Sequence, residues 1–125
     1  AFETAAGVPG LAAPLKARLL ARSTAWRTLR VTLQGLAPSA SPSATATPTA
    51  PPALWDVPRP KDAAAAGVLA RDLQTLALPH LGRAIEFGPV ATRGVLTSAL
   101  AATQVDVLGW GGTAQRWPGF SVLPG

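Results

Sequence analysis

The sequence predicts a mainly α-helical chain, with two or three helices joined by extended Pro- and Gly-rich segments and little or no sheet. Three observations carry that expectation. Between Pro14 and Gly35 there is no Gly or Pro, and apolar residues recur there at helical spacing. Asp62 is followed by an alanine-rich run with leucines at i, i+4 and i+7. The 13 Pro and 12 Gly among 125 residues are too many for one continuous core, so they divide the helices.

The first helix follows a small-residue stretch, 1–13, that turns at Pro9-Gly10. Pro14 suits a first helical turn, where its missing N–H costs nothing. At 100° per residue, Leu15, Leu19, Trp26, Leu29 and Leu33 fall within roughly 80° of one another. Lys16 and Arg27 face the other way, with Arg18 and Arg30 on the flanks. Arg22 falls inside the apolar stripe, where a charge is costly unless it snorkels or finds a partner.

Residues 38–52 read PSASPSATATPTAPP, with no charge and no large side chain. Such a run has too little apolar surface to fold by itself and reads as a linker. Trp55 sits in the short extended piece Leu54-Trp55-Asp56-Val57, before Pro58 and Pro60. The second helix is expected over 63–77, with Leu69, Leu73 and Leu76 on one face, Pro79 ending or kinking it, and Leu81 to Phe87 adding a turn or two before Gly88-Pro89. A third is expected over 90–108 around Leu96 and Leu100, weakened by Gly94 and β-branched residues. The tail from Gly109 is expected to be irregular. Three regions result: a basic helical segment over 1–37, a linker over 38–60 and a small helical region over 61–125.

Composition bounds the function. With no Cys, disulfides and thiolate metal sites are excluded. No stretch reaches the length of a spanning helix. The lack of Met at position 1 is expected to reflect a processed start, and the scarcity of Lys and Ile fits GC-rich coding. Of the net charge of +5, nearly all lies before residue 55: Lys16, Arg18, Arg22, Arg27 and Arg30 face Glu3 alone. An acidic partner, if there is one, is expected to meet that part.

Candidate chemistry is sparse. Gln104 to Ala114 resembles a strand running into GxGxxA, but eleven following residues leave no space for a nucleotide-binding unit, so a glycine-rich turn is expected. His80 stands alone, and the acids are scattered one at a time, so no metal site is expected. A trio of Ser98, His80 and Asp106 can be written down without any nucleophile elbow. No catalytic, cofactor-binding or metal residue and no small-molecule substrate are expected.

Bulky apolar residues are few beside 26 alanines, so the isolated core is expected to be thin, and the chain non-compact or partner-supported. The expected function is a non-catalytic accessory or structural subunit stapling a larger assembly. An organellar setting (mitochondrion or chloroplast, in an energy-converting or photosynthetic complex) fits somewhat better than a virion. The expected partner-binding residues are Leu19, Arg22, Trp26, Leu29, Arg30, Trp55, Trp110 and Trp117, because tryptophan and arginine anchor interfaces. The partners are other protein subunits; the alternative is a nucleic-acid-binding, ribosome-associated subunit that meets phosphate through Arg18, Arg22, Arg27 and Arg30, and a membrane surface is a further contact the basic helix could make.

Overall fold

The computed structural model describes residues 1–36, 57–116 and 118–119. The described residues are mainly helical and contain no strand. Four helices follow in order: α1 (Phe2–Ala6), α2 (Ala13–Leu36), α3 (Ala63–Phe87) and α4 (Val90–Gly109). Residues 38–52 and Trp55, read as linker and anchor, lie outside the described residues, as does Trp117.

α3 and α4 form a helical hairpin around Gly88-Pro89. The Asp62 carboxylate opens α3 by accepting from the Ala65 N–H at 2.8 Å, the N-cap bond that the sequence anticipates. At the other end Thr92 Oγ1 donates to Pro89 O at 2.8 Å and holds the start of α4. α2 runs antiparallel to α4, since Arg18 reaches Gly109 while Arg22 reaches Thr103. It follows that α2 and α3 point the same way.

The second helix does not stop at Pro79. It continues to Phe87 with Pro79 inside it. An interior proline costs about 3 kcal/mol. Leu78 and Leu81, both buried on either side of it, offset that cost, at about 1.5–3 kcal/mol each. The buried face of α3 also differs from the expected one: it is Ala66, Ala70, Gln74, Leu78 and Leu81, while Leu76 is 67% exposed. The helix is rotated by roughly a third of a turn from the leucine stripe. Small alanines let α1 approach, and Ala5, Ala6, Val8, Leu19, Ala66 and Ala70 make one core cluster.

α1 itself was not expected, because five residues carry no readable period. α4 keeps its helix through Gly94, burying Thr92, Leu96, Thr103 and Val107. Gln104–Leu108 therefore belongs to the helix expected over 90–108, not to the strand of a nucleotide-binding unit. The glycines after it end α4: the Gly112 N–H donates to Val107 O at 2.8 Å and the Gly111 N–H to Leu108 O at 2.9 Å. That pair of bonds, with Gly111 at φ +78°, is the Schellman stop, which favours glycine.

Beyond it the tail folds back. The Gln104 side chain donates to Gln115 O at 2.5 Å and accepts from the Gln115 N–H at 3.1 Å. Further on, Pro118 crosses α3 so closely that a Cβ on Gly82 would lie 1.6 Å from its carbonyl oxygen. Only glycine fits there.

Candidate interaction surface

Arg22 is the charge in the apolar stripe of α2 that is costly without a partner, and α4 supplies one. Arg22 Nε lies 2.7 Å from Asp106 Oδ2, with the two side chains only 13% and 21% exposed. The Nε–H itself is not aimed along that contact and makes no hydrogen bond among the described residues, so the attraction is ionic. Direction comes instead from Arg22 Nη2, which donates to Thr103 Oγ1 at 3.3 Å.

One turn earlier on α2, Arg18 closes the end of α4. Its guanidinium donates to Gly109 O at 3.1 Å and more weakly to Asp106 O at 3.5 Å. A cation against the final carbonyls of a helix is favoured by their unpaired acceptors and by the helix dipole. The same guanidinium stacks 4.0 Å from the centre of the Trp110 ring. Trp110 in turn covers Gly67 of α3 and joins the edge of the core cluster.

α1 completes this clasp from the other side. Arg27 and Ser23, on α2, both donate to Glu3 Oε1, the serine at 3.2 Å. The first half of α2 is thus held by α1, by the end of α4 and by Trp110.

The second half of α2 is different. From Trp26 onward it leans over the α3–α4 hairpin without closing on it. An open groove of about 580 Å³ remains, with Trp26, Leu29 and Leu33 on one wall and Ala77, Leu81 and Ala84 on the other. Leu96 of α4 forms part of its lining, and Arg30, Gln34 and His80 bring the polar groups. No acid lines it. Trp26 Nε1 is buried without a hydrogen-bond partner among the described residues.

The structure therefore separates the residues expected at a partner interface. Leu19 is fully buried in the core. Arg22 and Trp110 belong to the clasp. Trp26, Leu29 and Arg30 come together at the groove. Trp55 and Trp117 lie outside the described residues. Sequence reasoning missed Leu33 and Leu81 as groove walls, although Leu33 belonged to the predicted stripe.

The catalytic trio is not assembled. Ser98 donates to Gly94 O on its own helix, and Asp106, about 12 Å further along α4, is held by Arg22. Among the described residues no cluster of His, Asp and Glu has the number to hold a metal ion. No described helix is long and apolar enough to cross a membrane. No family model, curated protein or solved structure matches this chain.

Proposed function

We propose that this chain is a non-catalytic accessory subunit that lies on a larger assembly and joins its neighbours through apolar docking. The groove between the second half of α2 and the α3–α4 hairpin carries this reading. Its walls are leucine, alanine and tryptophan, and a half-buried leucine still has about 1 kcal/mol to gain from full burial. Several such side chains side by side make a docking surface. More apolar area is exposed at the hairpin tip, where Phe87 and Val90 are 70% and 76% exposed.

Binding of RNA by the basic helix finds less support. Arg18, Arg22 and Arg27 are engaged with Asp106 and Glu3. Of the four arginines expected to meet phosphate, Arg30 alone makes no ion pair among the described residues.

The test is fractionation of native extract at rising salt. The chain is expected to migrate with a large protein assembly and to stay there through high salt, since apolar docking responds little to ionic strength. A chain released steeply by salt or by ribonuclease contradicts the proposal, because counterion release is the mark of phosphate binding. A chain that migrates alone contradicts it too.

A further inference from the structure

The groove is the continuation of a slot that this chain already fills at one end. α1 lies between α2 and α3 and runs antiparallel to α2, since Glu3 meets Ser23 and Arg27 while Ala5 and Val8 cluster with Leu19 and Ala66. Its first residues border a hollow shared with Trp26 and Arg30, and those two residues also line the groove. What seats α1 is therefore visible. Small apolar side chains enter the slot, and one acid pairs with an arginine on α2.

One turn beyond Arg27, Arg30 repeats that arginine at the groove, with no acid facing it among the described residues. Of the acids elsewhere, Glu3 is committed to Arg27, Asp106 to Arg22, Asp72 to Arg71 and Asp62 to the α3 N-terminus.

We infer that the groove receives an acidic amphipathic helix from a partner protein, laid along the line of α1. Its apolar residues at i, i+3 or i+4 and i+7 fill the space between Leu29, Leu33, Leu81 and Leu96, and one Asp or Glu pairs with Arg30. Alternating apolar anchors with a charged flank are how a helix fills a groove of this shape. The wall on α2 runs from Trp26 to Gln34, which spans roughly 12 Å, or about two turns of helix. A second copy of this chain fits poorly, since it brings another net charge of +5 to a basic rim. This inference rests on the reading that the groove docks a protein.

The test uses the full chain and two synthetic helical peptides of about 14 residues, a length at which helices begin to hold in water. Both carry the leucine pattern; one has Glu and the other Lys at the flank. The Glu peptide is expected to bind about three- to fivefold more tightly than the Lys peptide, the range of an exposed ion pair. Arg30→Glu, an exposed change that leaves the fold intact, is expected to reverse the order. Binding is expected to shift the Trp26 indole N–H and the Leu33 methyl resonances and to leave those of Leu19 in place. Equal affinities, or an order that Arg30→Glu does not reverse, overturn the inference.

A photo-crosslinking residue in place of Leu33, in native cells, names the occupant. A link to an acidic helical segment of another protein supports the inference. A link to a second copy, to residues 37–56 of the same chain, to lipid or RNA, or no link, overturns it. If these tests fail while the chain still migrates with its assembly, the groove assignment falls and the accessory role stands. If the peptides bind in the expected order but the chain migrates alone, the accessory role falls.

Discussion

The two halves of α2 have similar sequences and opposite fates. Each presents leucine and arginine to the same side, yet the first half is enclosed and the second stands open. Leu19 is fully buried, whereas Leu29 and Leu33 are only half-buried. Arg22 has Asp106; Arg30 has no counterpart among the described residues. The difference is made by what lies opposite. The first half meets α1, Trp110 and the end of α4, and the second meets a hairpin that is too far away to close on it. An amphipathic stripe therefore states that a face will be buried, not by whom.

The largest expected effect that sharpens this contrast is Leu19→Ala against Leu33→Ala. Emptying the enclosed site is expected to cost about 2–5 kcal/mol, while the same change at the groove stays within about 1 kcal/mol, both by urea unfolding of the isolated chain. Similar losses at the two sites break the comparison.

Asp106→Asn comes next. It strands Arg22 in a mostly buried place. Loss of a fully buried partner costs about 3–5 kcal/mol, and partial exposure reduces the expectation to about 1–3 kcal/mol. The counterpart in the open half, Arg30→Ala, is expected to lie within about 0.5 kcal/mol by the same measurement.

Gln74→Leu is expected to act in the opposite direction. Gln74 is fully buried in the face of α3, and neither its Nε2 nor its Oε1 has a partner among the described residues. Replacing that amide by an apolar side chain of similar size is expected to stabilise the chain by about 1–2 kcal/mol. A thermal melt then shows a rise of several degrees. A lower melting temperature means that the amide makes a contact beyond those described.

The smallest effect is that of Glu3→Gln. Its pair with Arg27 is half to mostly exposed, so the change is expected to cost less than about 1 kcal/mol in low salt and less again in high salt. A larger loss makes α1 a stronger part of the clasp than its length suggests.

Much of the helical organisation was legible in the sequence. The start of α2 near Pro14, the Asp62 cap of α3, the extent of α4 and the glycine stop after it follow from local rules about caps and turns. What local rules do not contain is the choice of face. On α3 the leucines at 69, 73 and 76 looked like the core stripe, but close packing favoured the alanines at 66 and 70. Pro79 looked like an end because its local cost is real, and only the burial of Leu78 and Leu81 outweighs it. At the candidate surface the stripe residues Trp26, Leu29 and Arg30 were readable. That Arg22 is joined to Asp106 was not, because 84 residues of chain separate them and only the fold brings them together.

Hydrogen exchange along α2, compared between the isolated chain and the chain in its native assembly, tests most directly whether the open half is a docking surface. The expected result is that amides over 18–27 are protected in both. Those over 28–36 are expected to exchange rapidly in isolation and to become protected in the assembly. Equal protection of the two halves in the isolated chain, or no gain over 28–36 in the assembly, contradicts it.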